Sequence, residues 1–139
     1  MSVTVVDASV VISAALSPNG TARRALAAAR ARTTIALSEA VLREIAGVLA
    51  RPKFARALTE ERRRETLELL AAAALWIEPR EAVRECRDPK DNCTLELALA
   101  AGASAILTGD EDLLVLHPWR GIPVLRPAEF LWALGGRPS

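Results

Sequence analysis

Thirteen residues near the amino terminus, Val3 to Ala15 (VTVVDASVVISAA), constrain the fold more than any other stretch. Val3, Thr4, Val5 and Val6 are strand formers broken only by Thr4, as in a strand covered on both faces. Asp7 follows at once, and Val10, Val11 and Ala14 then continue at helical spacing. Asp is poor within strands and good at helix caps, so Asp7 marks the handover from strand to helix. In an open α/β sheet that strand end lies on the rim where ligands bind. A cap alone accounts for one Asp there; only further acids on the same rim ask for more.

The rest of the chain repeats the alternation. Pro18, Asn19 and Gly20 make a turn, after which Thr21 can cap a helix to about Arg32 whose apolar positions are nearly all Ala. Thr33 to Leu37 reads as a second strand, and Ser38 as the cap of a helix from Glu39 to about Ala50. Val41, Leu42, Ile45, Val48 and Leu49 form its apolar stripe; Glu39 and Arg43 point away, whereas Glu44 lies at the stripe's edge. Arg51-Pro52 ends that helix, and Thr59 with Glu60 and Glu61 starts the next. Leu75 to Glu78 is a third strand, followed by a polar connector from Arg80 to Arg87. Asp88-Pro89 reads as a turn, and Asp91 opens a helix that runs to Ala101 and stops at Gly102. On a helical wheel Asp91 lies with Leu95, Ala98 and Leu99, so it faces inward. Ser104 to Leu107 is a fourth strand with TGDED at its carboxyl end, Ile122 to Leu125 a fifth, and Pro127 begins a last helix. The expectation is an α/β fold: a single three-layer domain over residues 1–134, its central parallel sheet of about five strands covered by helices. Strand one is central, and residues 135–139 form a flexible tail.

Composition narrows the function classes only slightly. With 139 residues the chain is one domain, and 18 basic against 17 acidic side chains leave a formal charge of +1, which argues neither for nor against a nucleic-acid partner. All but two of the basic residues are Arg. Cys86 and Cys93 make neither a metal motif nor a disulfide framework, and read as ordinary thiols in a reducing compartment. No signal peptide precedes the first strand, and the longest apolar run, Ala71 to Ile77, is too short to cross a bilayer. A cytoplasmic protein away from membranes is expected.

The acids say more. All five Asp residues fall in three places: Asp7 after the first strand, Asp88 and Asp91 around a helix start, and Asp110 and Asp112 after the fourth strand. Glu is scattered over helix surfaces by comparison. Strand carboxyl ends of a parallel sheet open on one rim, so Asp7 and Asp110 become neighbours if their strands are adjacent, and Asp91 and Glu44 can lean over the same rim. Carboxylates gathered without cations repel. A divalent metal resolves that conflict, and all-oxygen donors favour Mg²⁺ or Mn²⁺, one or two ions, over Zn²⁺. Sites of this kind serve phosphodiester hydrolysis.

With these residues in place the chain resembles the PIN-domain family. VVDASV is similar to the family's opening strand followed by D-x-N/S, and SEAVLREIAGVL to its S-x-x-x-x-x-E helix. RDPKDNCTLELALAAGASAILTGDEDLL resembles the branch with D-P-x-D-N and T-G-D-x-D-L, and IPVLRPAEFL its closing segment. That branch comprises toxin components of toxin–antitoxin pairs, the VapC-like ribonucleases. The resemblance implies a PIN-like fold and an Mg²⁺- or Mn²⁺-dependent endoribonuclease acting on single-stranded RNA, with a cognate antitoxin and a homodimeric state. It implies Asp7, Glu44, Asp91 and Asp110 as the catalytic acids, and Asp7, Asp91, Asp110 and Asp112 as metal ligands. Ser9, where many members have Asn, can donate a hydrogen bond to Asp7, and Glu96 is an extra acid one turn beyond Asp91.

Two other classes compete. A non-catalytic PIN-type module that binds RNA or a partner expects a broken quartet, and this one is intact. A metal-dependent phosphatase or phosphotransfer domain using Asp7 as nucleophile wants a second acid two residues on, where Ser9 stands. His117, the only His, precedes Pro118 and reads as a loop residue. Trp76 and Trp132 read as core, which leaves Trp119, beside Arg120, as the one tryptophan free to stack on a base.

Overall fold

A computed structural model describes residues 2–135. Five parallel strands form one sheet in the order β3-β2-β1-β4-β5: β1 (Val3–Val6), β2 (Thr34–Leu37), β3 (Leu75–Trp76), β4 (Ala105–Leu107) and β5 (Val124–Leu125). Seven helices flank it: α1 (Ala8–Leu16), α2 (Thr21–Arg32), α3 (Glu39–Leu49), α4 (Glu60–Ala73), α5 (Asn92–Ala101), α6 (Glu111–Leu114) and α7 (Pro127–Gly135). The three-layer α/β architecture is the one expected, with β1 at the centre. No described helix is long and apolar enough to cross a membrane.

The central pair sets everything above it. Val5 of β1 aligns with Ile106 of β4, and Val6 with Leu107. Val5, Ile106 and Leu107 are fully buried, and with Val11, Ile45, Leu49, Leu95 and Leu97 they form the core. A side chain of this size contributes roughly 1.5–3 kcal/mol when fully buried, so the β1–β4 seam cannot shift without large loss. Asp7 extends the seam by one rung, its N–H donating to Leu107 O at 2.9 Å. Its carbonyl meanwhile accepts from the N–H groups of Val10 and Val11, making it both last rung and first cap.

Several local signals act as their chemistry dictates. Ser38 Oγ accepts the Val41 N–H and Thr59 Oγ1 the Arg62 N–H, capping α3 and α4. Gly102 ends α5 with φ +59°, a left-handed conformation in which a side chain would be strained. The cap of α2 differs: Gly20 occupies it without a side-chain bond, and Thr21 is already helical. β3 and β5 are two residues each, shorter than their sequence runs. β3 is an outer strand with a single neighbour, and its ladder closes where Ile77 N–H reaches Leu37 O. Gly135, expected to open the tail, is the last residue of α7, and residues 136–139 lie outside the described residues.

The tryptophans reverse their expected roles. Trp76 is 49% exposed and Trp132 57%, whereas Trp119 is only 4% exposed. Trp76 lies on the outer strand and Trp132 on the outward face of the last helix, where no further layer covers them. Trp119 Nε1 donates to Glu85 Oε1 at 3.1 Å, and Arg120 lies over the Trp119 ring, 4.8 Å from its centre. Trp119 is therefore a structural pin rather than a surface for bases.

Candidate active site

The carboxyl ends of β1 and β4 and the starts of α1, α5 and α6 enclose a cleft of about 450 Å³. Asp7, Glu44, Asp88, Asp91, Asp110 and Asp112 all line it. The rim argument thus brings together Asp7, Asp110 and Asp112 from strand ends, Asp91 from the start of α5, and Glu44 from α3. Glu44 reaches the cleft because α3 runs along it: Glu44 and Val48, one turn apart, both line it. Glu39, on the opposite side of α3, is exposed and pairs with Arg43.

Asp7 is buried and held at both oxygens. Its Oδ2 accepts from Ser9 Oγ at 2.7 Å and Thr108 Oγ1 at 2.9 Å, and its Oδ1 from Thr94 Oγ1 at 3.5 Å. Ser9 Oγ also accepts the Gly109 N–H at 3.0 Å, tying the start of α1 to the loop after β4. Thr108 Oγ1 accepts the Asp110 N–H at 3.0 Å, and Asp110 Oδ1 accepts the Asp112 N–H at 2.9 Å. One chain of hydrogen bonds therefore runs from Asp7 through Thr108 to Asp110 and Asp112. Thr94 and Thr108 escape a reading by acid spacing, although Thr108 sits inside TGD and Thr94 three residues beyond Asp91.

Asp91 carries the strongest electrostatic signature. Burial first, then a hydrogen bond with Asp110 and the negative charges of Asp110, Asp7 and Asp88, push it up to about 8. The inward orientation read from the wheel is observed, with Asp91 6% exposed. Asp88, Asp91 and Asp112 offer carboxylate oxygens within 4.8 Å of one another. Asp88 also forms the turn expected of it, its Oδ1 accepting the Lys90 N–H at 3.2 Å. Arg87 forks onto Asp112 Oδ1 from the solvent side.

Residues around the cleft complete the donor inventory. Cys86 is buried beneath it, its Sγ donating to Asp112 O at 3.4 Å, and burial pushes its thiol up. Cys93 is pushed up to about 11 by burial and by the charge of Glu44. Neither offers a thiolate at neutral pH. His117 Nδ1 accepts the Val124 N–H at 2.9 Å and belongs to the β5 connection. Glu96 Oε2 accepts the Val83 N–H at 2.9 Å, so it tethers the connector before Asp88. Donors at the cleft are thus carboxylate and hydroxyl oxygens, and Asp91 shows the crowding that a cation relieves. That set fits a hard divalent ion such as Mg²⁺ or Mn²⁺ and not one that selects sulfur or imidazole.

Known proteins resemble this chain to different depths. The structure matches a chain of "Crystal structure of VapBC2 from Rickettsia felis bound to a DNA fragment from their promoter" with a TM-score of 0.60 at 12% identity, covering 89% of this chain and 98% of that one. At that identity the likeness is one of fold. Uncharacterized protein MJ1680 of Methanocaldococcus jannaschii is 32% identical over 115 residues, which span 81% of this chain and 74% of the relative. Residues 3–112 match the PIN domain, a span that begins with β1 and takes in all six acids of the cleft, and the chain belongs to the PIN-domain family.

Proposed function

We propose that this protein is an Mg²⁺- or Mn²⁺-dependent endoribonuclease that cuts single-stranded RNA and serves as the toxin of a toxin–antitoxin pair. The observation that carries the reading is the convergence of six carboxylates in one cleft, with Asp91 pushed up to about 8 among them. Asp7, Asp91, Asp110 and Asp112 would hold one or two ions, with Asp88 joining them through its closeness to Asp91 and Asp112. When bound, such an ion activates water and offsets charge on the phosphodiester.

The chain's own residues do the rest. Ser9, Thr94 and Thr108 fix the Asp7 carboxylate, and Thr108 fixes Asp110 through its backbone. Glu44, half-buried on α3, lining the cleft and without an ion-pair partner among the described residues, would accept the proton that the attacking water gives up. Hydrolysis then breaks one P–O bond, with the leaving oxygen taking up a proton. The phosphotransfer alternative asks Asp7 to attack phosphorus, yet its oxygens are engaged by three hydroxyls and it is 3% exposed.

Fold likeness to a VapBC2 chain supports the toxin role with a cognate antitoxin as partner; a homodimer as the working form and the cytoplasm as its location belong to the same proposal. The direct test uses purified protein, a single-stranded RNA and a Mn²⁺ titration, comparing the parent with Glu44→Gln. Metal-dependent fragments from the parent and their loss in the variant are expected. Light scattering at tens of micromolar reports the dimer. A parent that binds RNA and leaves it whole at every Mn²⁺ level would return the chain to the binding-module reading.

A further inference from the structure

A cleft with six acids repels the substrate that the nuclease reading gives it. A nucleic-acid strand brings a phosphate charge at every nucleotide, and ions held at the floor answer only those at the cut. The flanking phosphates need cations of the protein's own, facing the cleft and not already neutralised.

Two residues meet that description. Arg51 and Lys90 are the cations among the described residues that line the cleft. Both are exposed, and among the described residues neither side chain is in an ion pair or hydrogen bond, although acids line the same cleft. Other arginines near the site are committed: Arg87 to Asp112, Arg120 to Glu85 and Arg126 to Glu111. The two free cations come from separate segments. Arg51 lies two residues past the end of α3 at Leu49, in the turn that leaves the helix, and lines the cleft with Glu44 and Val48 of α3. Lys90 lies in the 3₁₀ turn at Pro89–Asp91 that leads into α5, an element packed on α3. A cation just before a helix start opposes the helix dipole, so helix capping does not account for Lys90 there. Ile12, Val48 and Phe54 line the same cleft and give it an apolar wall. Acids, two cations from separate segments and an apolar wall in one cleft suit a ligand that alternates phosphate with a flat apolar group.

We propose that Arg51 and Lys90 hold the phosphates flanking the scissile one, so that an unpaired strand lies across the acids with its sugars and bases against the Ile12–Val48–Phe54 wall. This rests on the nuclease reading and assigns how that site takes its substrate. Both are positioning residues: they act on binding and leave the chemistry at the carboxylates.

The test uses the full chain and a fluorescein-labelled single-stranded RNA. Anisotropy is followed against salt with Ca²⁺ in place of Mn²⁺, and cleavage is measured separately with Mn²⁺. Arg51→Gln and Lys90→Gln should each weaken binding about tenfold at low salt and lower the slope of log K against log salt by about 0.7. KM should rise while kcat stays within about twofold, and Tm should hold. Arg32→Gln, which removes an equal charge at the amino-terminal edge of the sheet, should match the parent. If both variants bind with the parent's affinity and slope while Glu44→Gln abolishes cleavage, the nuclease reading stands and this assignment falls. A loss seen only as a lower Tm, with the slope unchanged, places Arg51 at the helix end and overturns its role. A parent that neither binds nor cuts the strand overturns the nuclease reading, and this assignment with it.

Discussion

Thr108 donates its hydroxyl to Asp7 Oδ2 at 2.9 Å across 101 positions of sequence, joining the ends of the two central strands. The same oxygen accepts the Asp110 N–H, so one buried hydroxyl sets both carboxylates. Thr108→Val keeps the shape and removes both bonds. The loss of a hydrogen bond to a charged group at a fully buried site should cost about 2 kcal/mol of stability. Cleavage should fall roughly 10–100-fold, as when an outer partner of a metal ligand is removed. Thr66→Val is the comparison: its hydroxyl bonds Arg62 O on the exposed α4, and stability should change by less than about 0.5 kcal/mol. Equal effects from the two substitutions, read by urea unfolding and an RNA cleavage assay, would remove Thr108 from the site.

Asp91 makes stability depend on pH in an unusual direction. Its folded-state value, about 8, lies above the ordinary 3.8, so the native state binds a proton that the unfolded chain releases. Without metal, this group's contribution is present below about pH 4 and is lost as pH rises toward 8. Mn²⁺ needs the deprotonated form, so its stabilisation should grow through the same window. Thermal unfolding at pH 6 and pH 8.5, with EDTA and with millimolar Mn²⁺, reads both trends. The EDTA sample should melt higher at pH 6, and the gain from Mn²⁺ should be larger at pH 8.5. A flat response to Mn²⁺ at both pH values would sink the metal site.

Much of this architecture is legible in VTVVDASVV alone. A strand that hands directly to a helix at an Asp requires a parallel neighbour, and that places Asp7 on a rim with Asp110. What sequence periodicity does not carry is long-range pairing. The connector after β3 has no regular structure, yet side chains pin it: Glu96 to Val83 N–H, Asn92 to Cys86 N–H, and Glu85 to Trp119 and Arg120. None of these pairs leaves a periodic trace. Trp119 was thereby hidden as a core residue, while Trp76 and Trp132 carry strand and helix patterns whose outer faces nothing covers. Hydroxyl partners of the acids are hidden for the same reason, since Thr94 and Thr108 become visible only when α5 and β4 converge on Asp7.

The two thiols give a simple check of the packing around the acids. Burial pushes Cys86 up, and burial with the Glu44 charge pushes Cys93 up to about 11. Both are free. At pH 8 neither should react quickly with a thiol reagent in the native protein, because the thiolate is the reactive form. Two thiols should appear on adding denaturant. A fast-reacting Cys86 in the native state would mean that the floor beneath Asp91 and Asp112 is open.

Charge removal at each acid separates metal holding from structural capping. Asp7→Asn, Glu44→Gln, Asp91→Asn and Asp110→Asn preserve shape closely, and each should lose cleavage by roughly 10²-fold or more, as when one electrostatic stabiliser of a transition state is deleted. Double variants should lose little beyond the singles, because the acids work as one unit. Stability without metal should split them. Asp91→Asn relieves a buried charge crowded by Asp110, Asp7 and Asp88, so the variant should melt higher than the parent at pH 8.5. Asp7→Asn instead places an amide among hydroxyls of Ser9, Thr94 and Thr108 that donate to a carboxylate, and should cost about 1 kcal/mol. Asp88→Asn can still accept the Lys90 N–H, so the turn should survive while Mn²⁺ affinity drops if its carboxylate reaches the ion. Glu39→Gln, exposed and paired only with Arg43, should change neither property. Capping alone would lower the melting temperature of both Asp7→Asn and Asp91→Asn and keep cleavage, so the two readings part on the stability of Asp91→Asn and on cleavage by both. Melting curves in EDTA beside Mn²⁺-dependent cleavage of the same preparations decide between the two, and an Asp7→Asn protein that cuts like the parent would end the metal-site assignment.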